Sequence, residues 1–323
     1  MPLRVSASRR AGAILVTAAL INALVVAPVI GAARFVGASR PATNVSTDLS
    51  GIPSSHDDTV VSPAQPVTDV PPELSSPPEP DLVEQFQGYL EGCPGHVGVA
   101  VYDAVTGRTV AVDDPAVSGF ETASTVKLSI LLGILERAGL SGRLSAGEMR
   151  SAQAMIGVSD NAAASRLWRS LGGAVSMDAL FQRLGMTRTK ADSGGRWGLT
   201  LTSAVDQLAV LRTVAYPNGI LSDQARATAT QLLAGVVASQ RWGVPGGVPP
   251  GVTVEVKNGW LPYDDGWVIA SIGHVHGGGR DYVMAVYSRD NPSMQAGITT
   301  VEGLSRIAWE AAATSPALAA HTH

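Results

Sequence analysis

Ser124-Thr125-Val126-Lys127, at the head of an apolar run over residues 128–135, decides how this chain reads. The run predicts a helix, and residues three apart on a helix share one face, so the Lys127 amine can lie beside the Ser124 hydroxyl. That pairs a nucleophile with a base, because a serine attacks a carbonyl only when a neighbour takes its proton. A free lysine keeps its own proton up to about pH 10.4. The fold must therefore disfavour the ammonium, by desolvation, by a second cation or by a helix N-terminus.

A Ser-x-x-Lys pair alone arises by chance on solvated helix faces, and two further motifs give this one its weight. Ser159-Asp160-Asn161 falls between helical patterns at 147–156 and 162–171, and Lys257-Asn258-Gly259 closes a strand-like alternation of Val252, Val254 and Val256. This order on helix, loop and strand resembles the penicillin-recognising serine enzymes, most closely the class A β-lactamases. Residues 120–127 are similar to the approach to that family's nucleophile. Residues 155–173, closing on Leu171-Gly172-Gly173, are similar to the helices flanking its second motif. The resemblance spans residues 81–314.

Several expectations come with the resemblance. Ser124 forms an acyl-enzyme and Lys127 is its base. Ser159 relays a proton to the leaving nitrogen, Asn161 binds the substrate amide and orients Lys127, and Lys257 adds positive potential. The N–H groups of Ser124 and Trp260, next to Gly259, form an oxyanion hole. Two cations at one site also favour a neutral Lys127. The implied substrates are β-lactams or D-alanyl peptidoglycan-type amides.

The chain departs from the family at three places. The family's loop after the second motif carries a Glu that activates the deacylating water, whereas residues 186–199 hold one acid, Asp192. The segment 128–158 is shorter, which opens one wall of the cleft. Asn258 stands where Thr or Ser is usual, and its amide is expected to donate to the substrate instead. Asp192, Glu121 and Lys127 are the candidate bases for deacylation; Asp192 beside Ser193-Gly194-Gly195 also reads as a turn residue, and Glu121 as a solvated charge. A slowly or non-deacylating, wall-associated penicillin-binding sensor or scaffold is the alternative to an efficient hydrolase.

The surrounding pattern gives the fold class. Leu82, Phe86 and Leu90 recur at helical spacing. Strand patterns follow at 97–102 and 109–112, and a helical block runs from 124 to 237 with breaks at Gly142, Gly157, Gly172-Gly173, Gly194-Gly195 and Pro217-Asn218-Gly219. Strands return at 252–256, 267–274 and 282–288, before a last helix over 297–313. Strands at both ends predict an α+β domain: an antiparallel sheet built from both ends, flanked by the terminal helices, with an inserted all-helical lobe.

Composition agrees. Of 323 residues 45% are hydrophobic and the formal net charge is -4, so a core is possible and no basic field for nucleic acid exists. Arg4, Arg9 and Arg10 precede an uncharged, largely apolar run over 11–33, which reads as an export signal, either a cleaved signal peptide or a retained membrane anchor. Residues 34–80 are rich in Pro, Ser and Thr and read as a disordered linker of the kind that suits a cell-wall setting. Residues 315–323, with His321 and His323, read as a flexible tail without a role.

Cys93 is the only cysteine, which excludes an internal disulfide, and it is placed in a turn or buried edge. Asp264-Asp265-Gly266 is a turn, with Trp260, Tyr263 and Trp267 packing around it. His274 and His276 have ligand-like spacing, but with Gly277-Gly278-Gly279 after them and no third ligand evident they read as a hairpin end. No metal or organic cofactor is indicated. The expected partner is a small-molecule or peptidoglycan-type substrate, met outside the cytoplasmic membrane.

Overall fold

The computed structural model describes residues 81–312. The export segment, the linker and the tail expected at 1–33, 34–80 and 315–323 lie outside the described residues. The described chain runs α1 (Leu82–Leu90), β1 (His96–Asp103), β2 (Arg108–Asp113), β3 (Phe120–Glu121), α2 (Val126–Arg137), α3 (Ala146–Gly157), α4 (Asn161–Leu171), α5 (Gly173–Arg183), β4 (Leu201–Thr202), α6 (Ala204–Ala215), α7 (Asp223–Ala234), β5 (Thr253–Tyr263), β6 (Gly266–Gly277), β7 (Arg280–Asn291) and α8 (Met294–Ala311). Among these residues no helix is long and apolar enough to cross a membrane.

Five strands form an antiparallel sheet in the order β2-β1-β7-β6-β5. Its two halves come from opposite ends of the domain and join where β1 pairs with β7, Val99 opposite Val286. The α+β architecture expected from the sequence is therefore the one observed. The middles of β1, β6 and β7 are buried on both faces, so their apolar runs are nearly continuous instead of alternating.

The two faces have different covers. Ile269 of β6 packs against Gly297 of α8, while His274, an odd number of residues further on, stacks edge-on with Tyr216 at the end of α6. Strand side chains alternate, so α8 lies on one face and the helical lobe on the other. Ser145 begins α3 with a capping box to Glu148, and Gly172, at φ +101, ends α4 and leads into α5.

Three local features differ from the sequence pattern. Strand β5 continues to Tyr263, so Lys257-Asn258-Gly259 lies within it; Lys, Asn, Gly and Pro are weak strand formers, but eleven residue pairs with β6 hold them extended. Ser124 sits in a 3₁₀ turn, Ala123–Thr125, that precedes α2. The two-residue ladder between β3 and β4, Phe120 opposite Thr202, is too short to leave a periodicity.

Helix α1 docks on α8 through one glycine. A Cβ on Gly303 would fall 2.0 Å from the Tyr89 hydroxyl oxygen and 2.2 Å from the ring carbon that bears it. That hydroxyl donates to the Thr299 carbonyl at 3.2 Å. Gly303→Ala is expected to lower stability by about 1–3 kcal/mol in urea unfolding, as overpacked cores do. On a Tyr89→Ala background the sign should reverse, because alanine is the better helix former by about 1 kcal/mol.

Candidate active site

The turn carrying Ser124 is fastened to the centre of the sheet. Thr125 donates through Oγ1 to the Thr122 carbonyl at 2.7 Å and meets the buried Tyr287 hydroxyl of β7 at 2.7 Å. Ala123 just before Ser124 has φ +45, a left-handed conformation costly for a residue with a side chain. Strand β5 closes on the turn from the other side. A Cβ on Gly259 would lie 2.7 Å from the Ser124 amide nitrogen, so only glycine lets the strand come this near.

The Lys127 side chain is fully buried, and four oxygens surround its Nζ. They are Ser159 O at 2.6 Å, Asn161 Oδ1 at 2.7 Å, Ser159 Oγ at 2.9 Å and Ser124 Oγ at 3.0 Å. The two shortest are pure acceptors. A neutral amine has two hydrogens and one lone pair, so with both hydrogens given to Ser159 O and Asn161 Oδ1 the lone pair faces the serine hydroxyls. Ser159 achieves its double contact at φ +59, a second strained residue at the site. Asp160 caps α4 by accepting from the Ala163 amide at 2.6 Å, which aligns Asn161 at the helix start.

Burial is what brings Lys127 down to about 7, opposed by the charge of Asp160. The second amine lies beside that of Lys127. Lys257 Nζ reaches Ser159 Oγ at 3.1 Å and the Asn258 carbonyl at 2.8 Å, and it is the more deeply enclosed of the two amines. Burial first and then repulsion from Lys127 push Lys257 well below the ordinary lysine range. Burial is thus the first cause of the lowering in both amines.

Ser124, Lys127, Ser159, Asn161, Lys257 and Gly259 thus converge, and Asn258 does not. Alternation along β5 sends its side chain to the α8 face, opposite Ser271, where it is wholly buried. Its NH₂ group donates to the Gln240 and Trp242 carbonyls, both at 2.8 Å, and its Oδ1 accepts from Ser271 at 2.6 Å. With both hydrogens committed, the amide has no donor for a substrate, which corrects the expectation for this residue. Its main chain behaves otherwise. The Asn258 carbonyl meets Lys257 on the cleft side, and main-chain groups two residues apart leave a strand on the same side, so the Trp260 N–H faces the cleft too. The half-buried Trp260 ring packs on Trp242, centroids 6.0 Å apart.

The stretch 186–199, where the resemblance implied a Glu, brings an aromatic ring to Lys127 instead. Trp197 lies over Lys127 Nζ, 4.9 Å from ring centroid, and its indole N–H donates to Ser165 of α4 at 3.1 Å. Nothing in the motifs singled it out; a lone tryptophan in a polar, glycine-rich stretch was the available signal. Asp192 pairs with the Arg196 guanidinium at 2.9 Å and accepts from its main-chain amide, which keeps the carboxylate acidic. Glu121 is buried instead of solvated, 3.5 Å from Arg289 of β7. Cys93 follows α1 in a turn, half-buried, with its thiol on the Tyr89 carbonyl.

A sheet assembled from both ends, an inserted helical lobe and a Ser-Lys-Ser cluster between them are the features of a β-lactamase-like fold. Residues 144–312 match the model of the beta-lactamase enzyme family, a stretch that contains Ser159, Asn161 and Lys257. Proteins of Mycobacterium tuberculosis and Mycobacterium bovis named "Putative lipoprotein LppW" are 30% identical over 235 residues, covering 68% of this chain and 72% of theirs. Among solved structures, an ancestral class A β-lactamase is 23% identical with a TM-score of 0.61, covering 72% of this chain and all of its own. The TLA-1 extended-spectrum β-lactamase is 18% identical with a TM-score of 0.63, over 71% and 97%. The chain belongs to the beta-lactamase enzyme family and has the class A fold.

Restoring the family's usual residue at 258 tests the correction above. Asn258→Thr leaves one or both of the Gln240 and Trp242 carbonyls without a donor and is expected to lower stability by about 1–3 kcal/mol, read by denaturant unfolding.

Proposed function

We propose that this protein is an exported serine hydrolase that forms an acyl-enzyme at Ser124 with a β-lactam or a D-alanyl peptidoglycan-type amide. The observation that carries the reading is the buried Lys127 amine, poised near neutrality 3.0 Å from Ser124 Oγ and 2.9 Å from Ser159 Oγ. Lys127 takes the proton as Ser124 Oγ bonds to the carbonyl carbon. The developing oxyanion is held by the N–H groups of Ser124 and Trp260, a kind of donor whose loss typically costs about 3–4 kcal/mol. Ser159, hydrogen-bonded to both lysines, passes a proton to the departing nitrogen as the C–N bond breaks. Lys257 offers its amine to a substrate carboxylate.

Slow release of the acyl group is the second half of the proposal. Asp192 is occupied by Arg196, Glu121 is buried beside Arg289, and Trp197 covers the amine, so neither candidate carboxylate is free to serve a deacylating water. A wall-associated sensor or scaffold that acylates once is the reading this favours over rapid turnover. Export rests on the basic and apolar start of the sequence and on the lipoprotein name of the relatives. In this chain, whose only cysteine is Cys93, the apolar run at 11–33 would provide any membrane attachment.

A fluorescent penicillin, followed by mass on the intact chain, is the test. A single adduct on Ser124 is expected, absent in Ser124→Ala, with Lys127→Ala slowing its formation by about 10²–10⁴-fold. The rate should climb as pH rises through about 7, because the amine form of Lys127 is the active one. No adduct on the native chain would overturn the reading. An adduct that persists supports the sensor, and one that decays with release of hydrolysed product supports the β-lactamase.

A further inference from the structure

On the helical-lobe face of the sheet, beyond Lys257, three side chains converge that the cleft does not use. Glu255 of β5 stands directly opposite His274 of β6, and His276 follows two residues later on the same face. The two imidazoles stack with centroids 4.5 Å apart. One ligand atom from each of the three residues falls within 4.8 Å of the others. The third ligand that the histidine spacing lacked in the sequence is thus supplied by the neighbouring strand.

We propose that Glu255, His274 and His276 form a binding site for a divalent transition-metal ion of the zinc class. Two imidazoles and one carboxylate are a donor set that such ions accept, with one position left for water or a further ligand. Glu255 places Oε2 2.9 Å from His274 Nδ1 and Oε1 3.1 Å from His276 Nε2. Oε2 and Nδ1 are both buried, and neither has a hydrogen-bond partner. The two atoms face each other without hydrogen-bond geometry, as ligands of one ion do. Tetrahedral coordination at bond lengths of about 2.1 Å spaces neighbouring ligand atoms by roughly 3.4 Å, so the group opens by a few tenths of an ångström to admit the ion. His276, its side chain 40% exposed, has room to give and marks the way in.

The surroundings complete the arrangement. His274 Nε2 lies 2.9 Å from Asp281 Oδ1, and the Tyr216 hydroxyl donates to that same oxygen at 2.8 Å. A carboxylate behind a metal-bound imidazole fixes its tautomer and directs the other nitrogen's lone pair at the ion. A plain ion-pair network would have His274 bridging Glu255 and Asp281 and His276 on Glu255 Oε1, but it leaves Glu255 Oε2 and His274 Nδ1 buried without hydrogen-bond geometry. Glu255 precedes Lys257 by two residues, roughly 7 Å along the strand, so a bound ion would brace β5 close to the cleft.

Zinc titration of the full chain against a chromophoric chelator tests the site. The native chain should bind one zinc more than His276→Ala or Glu255→Gln, and Asp281→Asn should weaken that zinc by about 10–100-fold. His321 and His323 offer other imidazoles, so the reading is the difference between native and variant. Cobalt should give the absorption of a four- or five-coordinate site in the native chain and lose it in His276→Ala. Metal-free melting of His276→Ala, a half-exposed position, should match the native chain, which separates loss of a ligand from loss of fold. Equal zinc number and affinity in the native chain and in a folded His276→Ala would overturn the proposal.

Discussion

A buried amine with more oxygens around it than it has hydrogens is the constraint from which the rest of this site follows. Lys127 cannot be hydrated, so its charge is disfavoured, and four oxygens from three residues share what it offers. Meeting that demand requires parts from the turn before α2 and the start of α4, while Lys257 reaches the shared Ser159 hydroxyl from β5. The fold accepts two left-handed non-glycine residues, Ala123 and Ser159, to bring them there. Gly259 has the complementary task of giving up a side chain so that β5 can reach the nucleophile's amide.

The parts for attack and the parts for release are unequally provided. Every group needed to activate Ser124 is within hydrogen-bond reach of another member of the cluster. Of the three candidate bases for deacylation, the two carboxylates are held by other charges, Asp192 by Arg196 and Glu121 by Arg289, which leaves Lys127. Trp197 places an apolar ring over the amine, where it shields Lys127 and contributes no proton acceptor. This imbalance is what the proposal of a slowly released acyl group rests on.

Much of this was legible in the sequence, because three spaced motifs of reactive residues and two blocks of strand pattern around helices are local signals. The parts that escaped depend on what lies across from a residue. Asn258 reads as a substrate donor until the Gln240 and Trp242 carbonyls are seen to claim both its hydrogens. His274 and His276 do lie at a hairpin end, but only the pairing with β5 reveals Glu255 opposite His274. Lys127 was expected to need help to lose its proton, and burial, a property of packing that no spacing encodes, is the first cause of its lowering.

Three lysines occur in the whole chain, Lys127, Lys190 and Lys257, so side-chain titration by NMR with labelled lysine is unusually direct here. The resonance that disappears in Lys127→Met should titrate with a midpoint near 7. A midpoint near the ordinary value of 10.5 would mean that Lys127 is a cation at neutral pH and cannot be the base that activates Ser124.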